Sequence, residues 1–125
     1  MKIFVIGANH KTASMEVLEK YLLDDIRATQ LNSYIKETSI YFEMVPMQTC
    51  NRMELYFAAE QFEKVIDAVK IFFKISDLDF NNHFYCLHGN ECVCHLMEVV
   101  SSLDSVILGE SQILGQVRDA YLAAK

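Results

Sequence analysis

The apolar and polar residues of this chain alternate between strand-like and helix-like segments. Lys2 to Ile6 is a largely β-branched and aromatic run that ends at Gly7, which predicts a buried strand. After a polar loop, Ser14 is suited to cap a helix, because a hydroxyl can accept a hydrogen bond from a first-turn amide. A second helical segment is predicted from Ile26 to Lys36.

Two more strands are predicted in the middle of the chain, on either side of a polar turn. Ile40 to Val45 is strand-like, and Pro46 is expected to limit it because proline cannot donate to a strand ladder. The turn is Thr49-Cys50-Asn51-Arg52. After it, apolar and polar residues alternate over residues 53–57 with the period of two that is typical of a strand.

The second half of the chain is mostly helical in pattern. Gln61 to Lys74 places its apolar residues on one face, which predicts an amphipathic helix. Phe84 to Leu87 is predicted to be a last short strand. From Asn90 onward the pattern is helical, with breaks expected at Ser101-Ser102 and around Gly109.

This order of elements predicts an α+β fold. Strand, helix, strand, strand, helix, strand is the order of a ferredoxin-like, split β-α-β sheet domain, followed here by helices. The chain stops inside an amphipathic pattern without a helix-ending signal, which we interpret as a position inside a longer protein.

Composition narrows the functional classes. The chain has 125 residues, of which 52% are hydrophobic, enough for one core, and its formal net charge is -6. A negative chain is not expected to be a general nucleic-acid binder, although local contacts to an RNA end stay possible. No apolar run approaches the roughly 20 residues that cross a bilayer, and none has the form of a secretory leader, so we expect a cytoplasmic protein without a membrane contact.

Cys50 is the first candidate for chemistry. It lies in the polar turn, where Arg52 provides a positive charge that favours the reactive thiolate and Asn51 offers hydrogen bonds to a carbonyl or carboxylate. Most free cysteines are small buried residues without a chemical role. From these residues alone, a nucleophile and an inert cysteine both stay open, and the inert cysteine is the more common case.

A metal site is a weaker interpretation. Cysteines and histidines are close together at Cys86-Leu87-His88 and Cys92-Val93-Cys94-His95. On a helix, however, Cys92 and Cys94 lie about 200° apart, and neither group has the usual spacing of structural zinc ligands. We therefore predict no metal. A histidine such as His95 in an apolar helical context is more often a packing residue, and we interpret residues 9–12 as a solvated loop.

The segment from Leu103 to Gln116 is unusual because Gly109 and Gly115 bracket polar residues inside a helical pattern. Glycine costs about 1 kcal/mol against alanine in a helix interior, so a helix break or a close backbone approach is expected. Polar side chains there can face a ligand, or the segment is a loop between packed helices. The four glycines form no G-x-G-x-x-G motif, so no nucleotide site is predicted in this chain.

Three stretches of the chain resemble the signatures of the glutamyl-tRNA reductase family. They are Gly7-Ala8-Asn9-His10-Lys11-Thr12-Ala13, Thr49-Cys50-Asn51-Arg52-Met53-Glu54-Leu55-Tyr56, and the stretch from His95 through Leu103-Asp104-Ser105 to Gly115-Gln116-Val117. They occur in the family's order and span most of the chain. Ser14 stands where the family usually has proline, Gln48 where it has serine, and Ser102 where it has glycine.

The resemblance implies an NADPH-dependent oxidoreductase that converts glutamyl-tRNA to glutamate-1-semialdehyde, the first step of five-carbon tetrapyrrole (porphyrin) synthesis. It implies that Cys50 attacks the ester carbonyl and forms a thioester, and that His95 is needed for activity. The implied substrate-binding residues are Thr49, Asn51, Arg52, Ser105, Glu110, Ser111, Gln112 and Gln116.

By the same resemblance, residues 1–125 are the N-terminal catalytic domain and the start of a helical connection. NADPH would be bound by a domain absent from this chain, and a C-terminal domain would make the whole protein a homodimer. The next enzyme, an aminomutase, is a possible partner. The alternative is a regulatory ferredoxin-like module that binds a small ligand without catalysis and in which Cys50 is inert.

Overall fold

One antiparallel sheet organises the domain. The computed structural model describes the chain over residues 1–106, and its side chains over residues 1–101. The strands in this range are β1 (Lys2–Asn9), β2 (Phe42–Thr49), β3 (Arg52–Ala59) and β4 (Tyr85–His88), and their order in the sheet is β2-β3-β1-β4. Because β1 and β2 both run antiparallel to β3, they are parallel to each other with β3 between them. This is the predicted split β-α-β arrangement.

Helices connect the strands, and all of them except α4 lie in segments where a helix was predicted. They are α1 (Met15–Lys20), α2 (Asp25–Glu37), α3 (Phe62–Phe73), α4 (Asp77–His83) and α5 (Gly89–Val106). Ser14 caps α1 as predicted, because its hydroxyl accepts a hydrogen bond from the Val17 amide. None of the helices within residues 1–106 has the length and apolar character required to cross a membrane.

Three predictions about these elements were wrong, and one helix was missed. The first strand does not end at Gly7 but continues to Asn9, because its pairing with β3 extends to Arg52. Pro46 does not limit its strand but lies inside β2, opposite Leu55, where it is tolerated because β2 is at the edge of the sheet. Ser101-Ser102 does not break α5, since serine costs little in a helix. The helix α4 was not predicted, because its residues are mostly polar and none is fully buried. The expected break around Gly109 lies outside the described residues.

The two faces of the sheet have different partners. On one face, alternate residues of β1 and β3 pack against α1 to α4 and form the larger core. The sheet residues of this core include Phe4, Ile6, Met53, Leu55 and Phe57. On the opposite face, Val5 and Tyr56 pack against Cys92 and Val99 of α5. The helix α5 therefore covers the face that a four-stranded sheet of this kind would otherwise expose to water.

Gly7 permits a close approach between β1 and β3. It lies opposite Glu54 in the sheet register. A Cβ atom at this position would lie 2.8 Å from the backbone oxygen of Met53 and 2.9 Å from Cγ of Glu54. Both distances are shorter than ordinary van der Waals contact, so the absence of a side chain makes room for the buried Glu54.

We predict that Gly7→Ala lowers the free energy of unfolding by about 1–3 kcal/mol, because the added methyl group overpacks this contact. Urea denaturation measures the loss. Gly89→Ala is the control, since it adds only backbone strain at φ 55° and meets no atom within 4 Å. The near-ultraviolet signal of the buried tyrosines should change in Gly7→Ala alone. Native stability of Gly7→Ala would show that this contact is not tight.

Candidate functional site

Cys50 lies on an exposed turn between two paired strands. Thr49 and Arg52 are opposite each other at the ends of β2 and β3, so Cys50 and Asn51 form the two-residue connection. The thiol of Cys50 is exposed to solvent. A nucleophile at this position can be reached by a large substrate.

Side-chain and backbone hydrogen bonds brace this turn. The Gln48 amide nitrogen donates to the carbonyl oxygens of Thr49 (2.8 Å) and Arg52 (3.1 Å), and its Oε1 accepts from the Leu23 amide at 2.9 Å. The Asn51 amide donates to Oγ1 of Thr49 at 3.2 Å. Gln48 is a position where the sequence departs from the family signature. Its long side chain ties the turn to the connection between α1 and α2.

The loop after β1 is joined to the same turn. The His10 amide donates to the Asn51 carbonyl oxygen at 2.9 Å. Oδ1 of Asn9 accepts from the amides of Lys11 (2.9 Å) and Thr12 (3.2 Å), which orders the loop from inside. The interpretation of residues 9–12 as a solvated loop is thus wrong for Asn9, which is buried, although His10 and Lys11 are exposed.

A carboxylate without any exposed surface lies beneath this region. Glu54 has 0% relative exposure, on the face of β3 that α5 covers. Tyr56 donates a hydrogen bond to Oε1 at 2.9 Å, and Tyr85 donates to Oε2 at 2.5 Å. His95 of α5 contacts the same Oε2 through its Nε2. Residues from β3, β4 and α5 therefore converge on one buried acid.

Arg52 provides the positive charge of this cluster. Its Nη1 lies 3.5 Å from Oε2 of Glu54, and 14% of its side chain is exposed. Within the described part of the chain, this buried Nη1 has no hydrogen-bond partner. A buried donor without a partner costs roughly 1–3 kcal/mol, which an anionic ligand can recover. Arg52 is therefore held beside Glu54 by charge, and its buried Nη1 has no hydrogen bond within the described residues.

Burial and the Glu54 charge set the protonation of the neighbouring groups. Burial is the main cause that raises the pKa of both Tyr56 and Tyr85, and the negative charge of Glu54 raises each further. Both phenols therefore remain protonated donors. Burial, with a smaller contribution from Glu54, also raises the pKa of the Cys92 thiol to about 11. The Nε2 of His95 contacts Glu54, so Nδ1 is the ring nitrogen left for another partner.

The side chains of the other five predicted substrate-binding residues lie outside the described part of the chain. Ser105 lies on α5, and its side chain is outside the described residues. Four others also lie outside the described residues: Glu110, Ser111, Gln112 and Gln116. Glu54 contacts both Arg52, at the end of the Cys50 turn, and His95, on α5. The turn and the helix are thus connected through Glu54.

The cysteines and histidines considered as metal ligands do not come together at one point in the described part of the chain. Cys92 is buried and Cys94 is exposed, so the two thiols lie on different sides of α5. The Cys86 sulfur lies 3.7 Å from Nε2 of His88. Over residues 1–101, no group of three metal-ligating side chains comes together.

Glu54, Tyr56, Tyr85 and Gln48 are functional candidates that the sequence analysis did not single out. The alternation of β3 puts Glu54 on the polar side of the strand, and nothing in that pattern shows that a helix covers this side. The sequence feature that could have revealed this buried cluster is the combination of a glutamate inside a strand and a histidine inside an apolar helix. Each is costly to bury alone and less costly to bury as a pair.

These features define a class of protein: a ferredoxin-like α+β domain that presents an exposed thiol on a braced hairpin, next to an arginine held by a buried acid. The family model for "Glutamyl-tRNAGlu reductase, N-terminal domain" matches residues 6–125. This chain belongs to that family.

Individual relatives agree with this assignment. A glutamyl-tRNA reductase of Brevibacillus brevis is 36% identical over 98% of this chain, and one of Prochlorococcus marinus (strain AS9601) is 39% identical over 94%. The solved structure of glutamyl-tRNA reductase from Methanopyrus kandleri superposes with a TM-score of 0.66 at 30% identity, over 98% of this chain. The chain spans 28% of the length of each of these three proteins.

We predict that the domain loses stability as the pH rises above about 10, the ordinary value of a tyrosine pKa. Since the folded state raises the pKa of Tyr56 and Tyr85, it binds more protons than the unfolded chain there, so unfolding becomes more favourable as the pH rises. Urea denaturation at about pH 9 and about pH 11 measures the loss. Tyr56→Phe and Tyr85→Phe should each reduce it, whereas the exposed Tyr41→Phe should not. Equal alkaline losses in all variants would contradict this prediction.

Proposed function

We propose that this chain carries the acyl-transfer site of a glutamyl-tRNA reductase, with Cys50 as the nucleophile. The observation that supports this most directly is the exposed Cys50 thiol on a braced turn. Two residues further on is Arg52, whose buried Nη1 has no hydrogen-bond partner within the described residues. Covalent catalysis needs an accessible thiol, and recognition of glutamate needs a cation for its side-chain carboxylate. Both requirements are met at one end of the β2–β3 hairpin.

The proposed reaction on this chain is a thiol-for-alcohol exchange. The Cys50 thiolate attacks the carbonyl carbon of the ester that links glutamate to tRNA. A carbon–sulfur bond forms, and the bond from carbon to the ribose oxygen breaks. The ribose oxygen takes up a proton from water, equal to the one that the Cys50 thiol released on forming the thiolate, and the tRNA leaves with a free hydroxyl. Glutamate remains bound to Cys50 as a thioester, which accepts hydride more readily than the ester.

Arg52 is assigned to the substrate's side-chain carboxylate. Thr49 and Asn51 are assigned to the polar groups of the glutamyl moiety because they flank Cys50 on the same turn. The further substrate residues proposed from the family signature are Ser105, Glu110, Ser111, Gln112 and Gln116. For His95, the sequence left open whether it polarises the carbonyl or holds the site in shape. The contact of its Nε2 with buried Glu54 supports the second role.

The residues of 1–106 do not fit NADPH. The two glycines in this range are Gly7, which is packed against Glu54, and Gly89, which begins α5, and neither belongs to a loop that could cradle phosphates. The proposed chemistry of this chain therefore ends at the thioester. We assign NADPH and the reduction to glutamate-1-semialdehyde to parts of the enzyme outside this chain.

The family assignment also leads to proposals about the whole enzyme. We propose that residues 1–125 are its N-terminal catalytic domain, that it acts in tetrapyrrole synthesis in the cytoplasm, and that it forms a homodimer through a C-terminal domain. An aminomutase that consumes the semialdehyde is the proposed next enzyme. These proposals rest on the family alone.

We predict that the chain forms a covalent adduct with glutamate when incubated with glutamyl-tRNA that carries labelled glutamate. Acid-quenched single-turnover samples are analysed by gel and by mass spectrometry of the peptide that contains Cys50. Cys50→Ser should form no thioester, and Cys94→Ser, which removes another exposed thiol, should behave like the unmodified chain. Identical behaviour of the unmodified chain and Cys50→Ser would argue against thioester chemistry here.

Alkylation by iodoacetamide near neutral pH distinguishes a nucleophilic Cys50 from the inert Cys50 of a non-catalytic binding module. We predict that Cys50 reacts several-fold faster than Cys94, the other exposed thiol, and that Cys92 stays unlabelled because its burial raises its pKa to about 11. Peptide mapping over time measures the three rates. If Cys50 and Cys94 react at the same rate, Cys50 is an ordinary surface thiol and the binding module is favoured.

A further inference from the structure

The loop after β1 presents exposed basic side chains beside the Cys50 turn. Because β1 ends next to the start of β3, the loop and the turn lie at the same end of the sheet. The His10 amide donates to the Asn51 carbonyl oxygen at 2.9 Å, so the two segments are in direct contact. His10 and Lys11 are exposed to solvent, as is the Cys50 thiol. A large ligand that reaches the thiol therefore also reaches this loop.

Hydrogen bonds fix the backbone that carries Lys11. Oδ1 of Asn9 accepts from the Lys11 amide at 2.9 Å, and Oγ1 of Thr12 accepts from the Asn9 amide at 3.0 Å. From outside the loop, Nδ1 of His83 on α4 lies 3.3 Å from the Thr12 carbonyl oxygen, and the imidazole is the donor because a carbonyl oxygen only accepts. The loop is thus ordered before a ligand binds, which lowers the entropic cost of binding.

The charge at this end of the domain differs from that of the whole chain. The chain has 17 acidic and 11 basic residues, but residues 8–15 and 44–53, which contain the loop and the turn, include no acidic residue. Among the described side chains, Lys20 and Lys70 are paired with carboxylates, whereas Lys11 is paired with none. An anion that approaches the thiol therefore meets Lys11 without a competing carboxylate from either segment.

We propose that the loop after β1 binds the phosphate backbone at the 3′ end of the tRNA, and that Lys11 provides the charge. The ester to be attacked is on the terminal ribose, so the phosphate of the terminal nucleotide is one sugar away from it. A lysine is a compact charge that suits a phosphate, and phosphate contacts position a strand without reading its sequence. This inference rests on the proposed function, in which the ester of glutamyl-tRNA reaches Cys50.

The competing explanation is that Lys11 is an ordinary solvated lysine. Its charge would then act on the tRNA only through the long-range field of the domain, as any other surface lysine does. A contact at the 3′ end instead predicts a loss of affinity that requires this end of the tRNA. The loss should not depend on the attached amino acid, because the phosphate is the same in charged and uncharged tRNA.

The test measures equilibrium binding to the Cys50→Ser chain, which cannot form the thioester. Filter binding at several salt concentrations compares glutamyl-tRNA, uncharged tRNA and the same tRNA shortened by its single-stranded 3′ end. The variants are Lys11→Gln and Lys11→Arg. Lys64→Gln is the matched control, because it removes an exposed lysine from the first turn of α3, which begins at the opposite end of the sheet.

We expect Lys11→Gln to weaken binding of glutamyl-tRNA and of uncharged tRNA by the same factor, roughly fivefold at about 0.1 M salt. The slope of log affinity against log salt concentration should become shallower by about 0.7, the contribution of one phosphate contact on a single strand. The shortened tRNA should bind with and without this substitution equally well. Lys11→Arg and Lys64→Gln should keep both affinity and slope.

Several results would overturn the phosphate contact. They are an unchanged slope in Lys11→Gln, an equal loss of affinity for the shortened tRNA, and an equal loss in Lys64→Gln. The absence of any tRNA binding by the Cys50→Ser chain would overturn it as well.

Failure of the proposed function is a separate result, because it is measured by the adduct of labelled glutamate with the unmodified chain. If no adduct forms at Cys50 although Lys11→Gln removes the contact with the 3′ end, the role of Cys50 is wrong and the phosphate contact stands. If the adduct forms and the slope is unchanged in Lys11→Gln, only the phosphate contact is overturned.

Discussion

The burial of the Glu54 carboxylate is the constraint on which the rest of the site depends. An ionised carboxylate cannot leave water without donors and an opposite charge. Here the donors come from β3, β4 and α5, and the charge comes from Arg52. Each partner comes from the sheet or from the helix that covers it, so the sheet, α5 and the Cys50 turn have to be assembled together. Gly7 is part of the same arrangement, because a side chain there would collide with Glu54.

The covered second face distinguishes this domain from a simple split β-α-β sheet. The larger core lies on the side of α1 to α4 and resembles the interior of any small α+β domain. The face under α5 combines a small apolar cluster with the ionisable residues around Glu54. A low-polarity environment strengthens the interaction between charges, so a few groups there have large effects on one another. The chemistry proposed for the turn therefore depends on the arrangement of this face.

Local patterns were sufficient to predict the fold but not the site. The periodicity of the strands and of α3, together with the cap at Ser14, predicted the order of the other elements correctly because these signals are local. The polar helix α4 escaped prediction because it has no apolar stripe, and Pro46 was misjudged because edge position is a property of the whole sheet. Glu54 was overlooked for the same reason: the alternation in β3 separates two faces but does not reveal that α5 covers the second. The family signature pointed to Cys50, Arg52 and His95 without showing that Glu54 connects the arginine to the histidine.

The contrast between an exposed thiol and a buried acid follows from the kind of substrate proposed. The ester to be attacked lies at the end of a large polyanion, which cannot enter a deep cavity, so the nucleophile has to be on the surface. Discrimination of a glutamyl side chain, however, requires a cation whose donors are not already satisfied by water. Hydrogen bonds from Gln48 and His10 make the exposed turn well defined, and the ion pair with Glu54 keeps Arg52 largely out of water beside it. The hairpin thus combines access for the thiol with a desolvated cation, two properties that a single surface loop or a single buried pocket would not provide together.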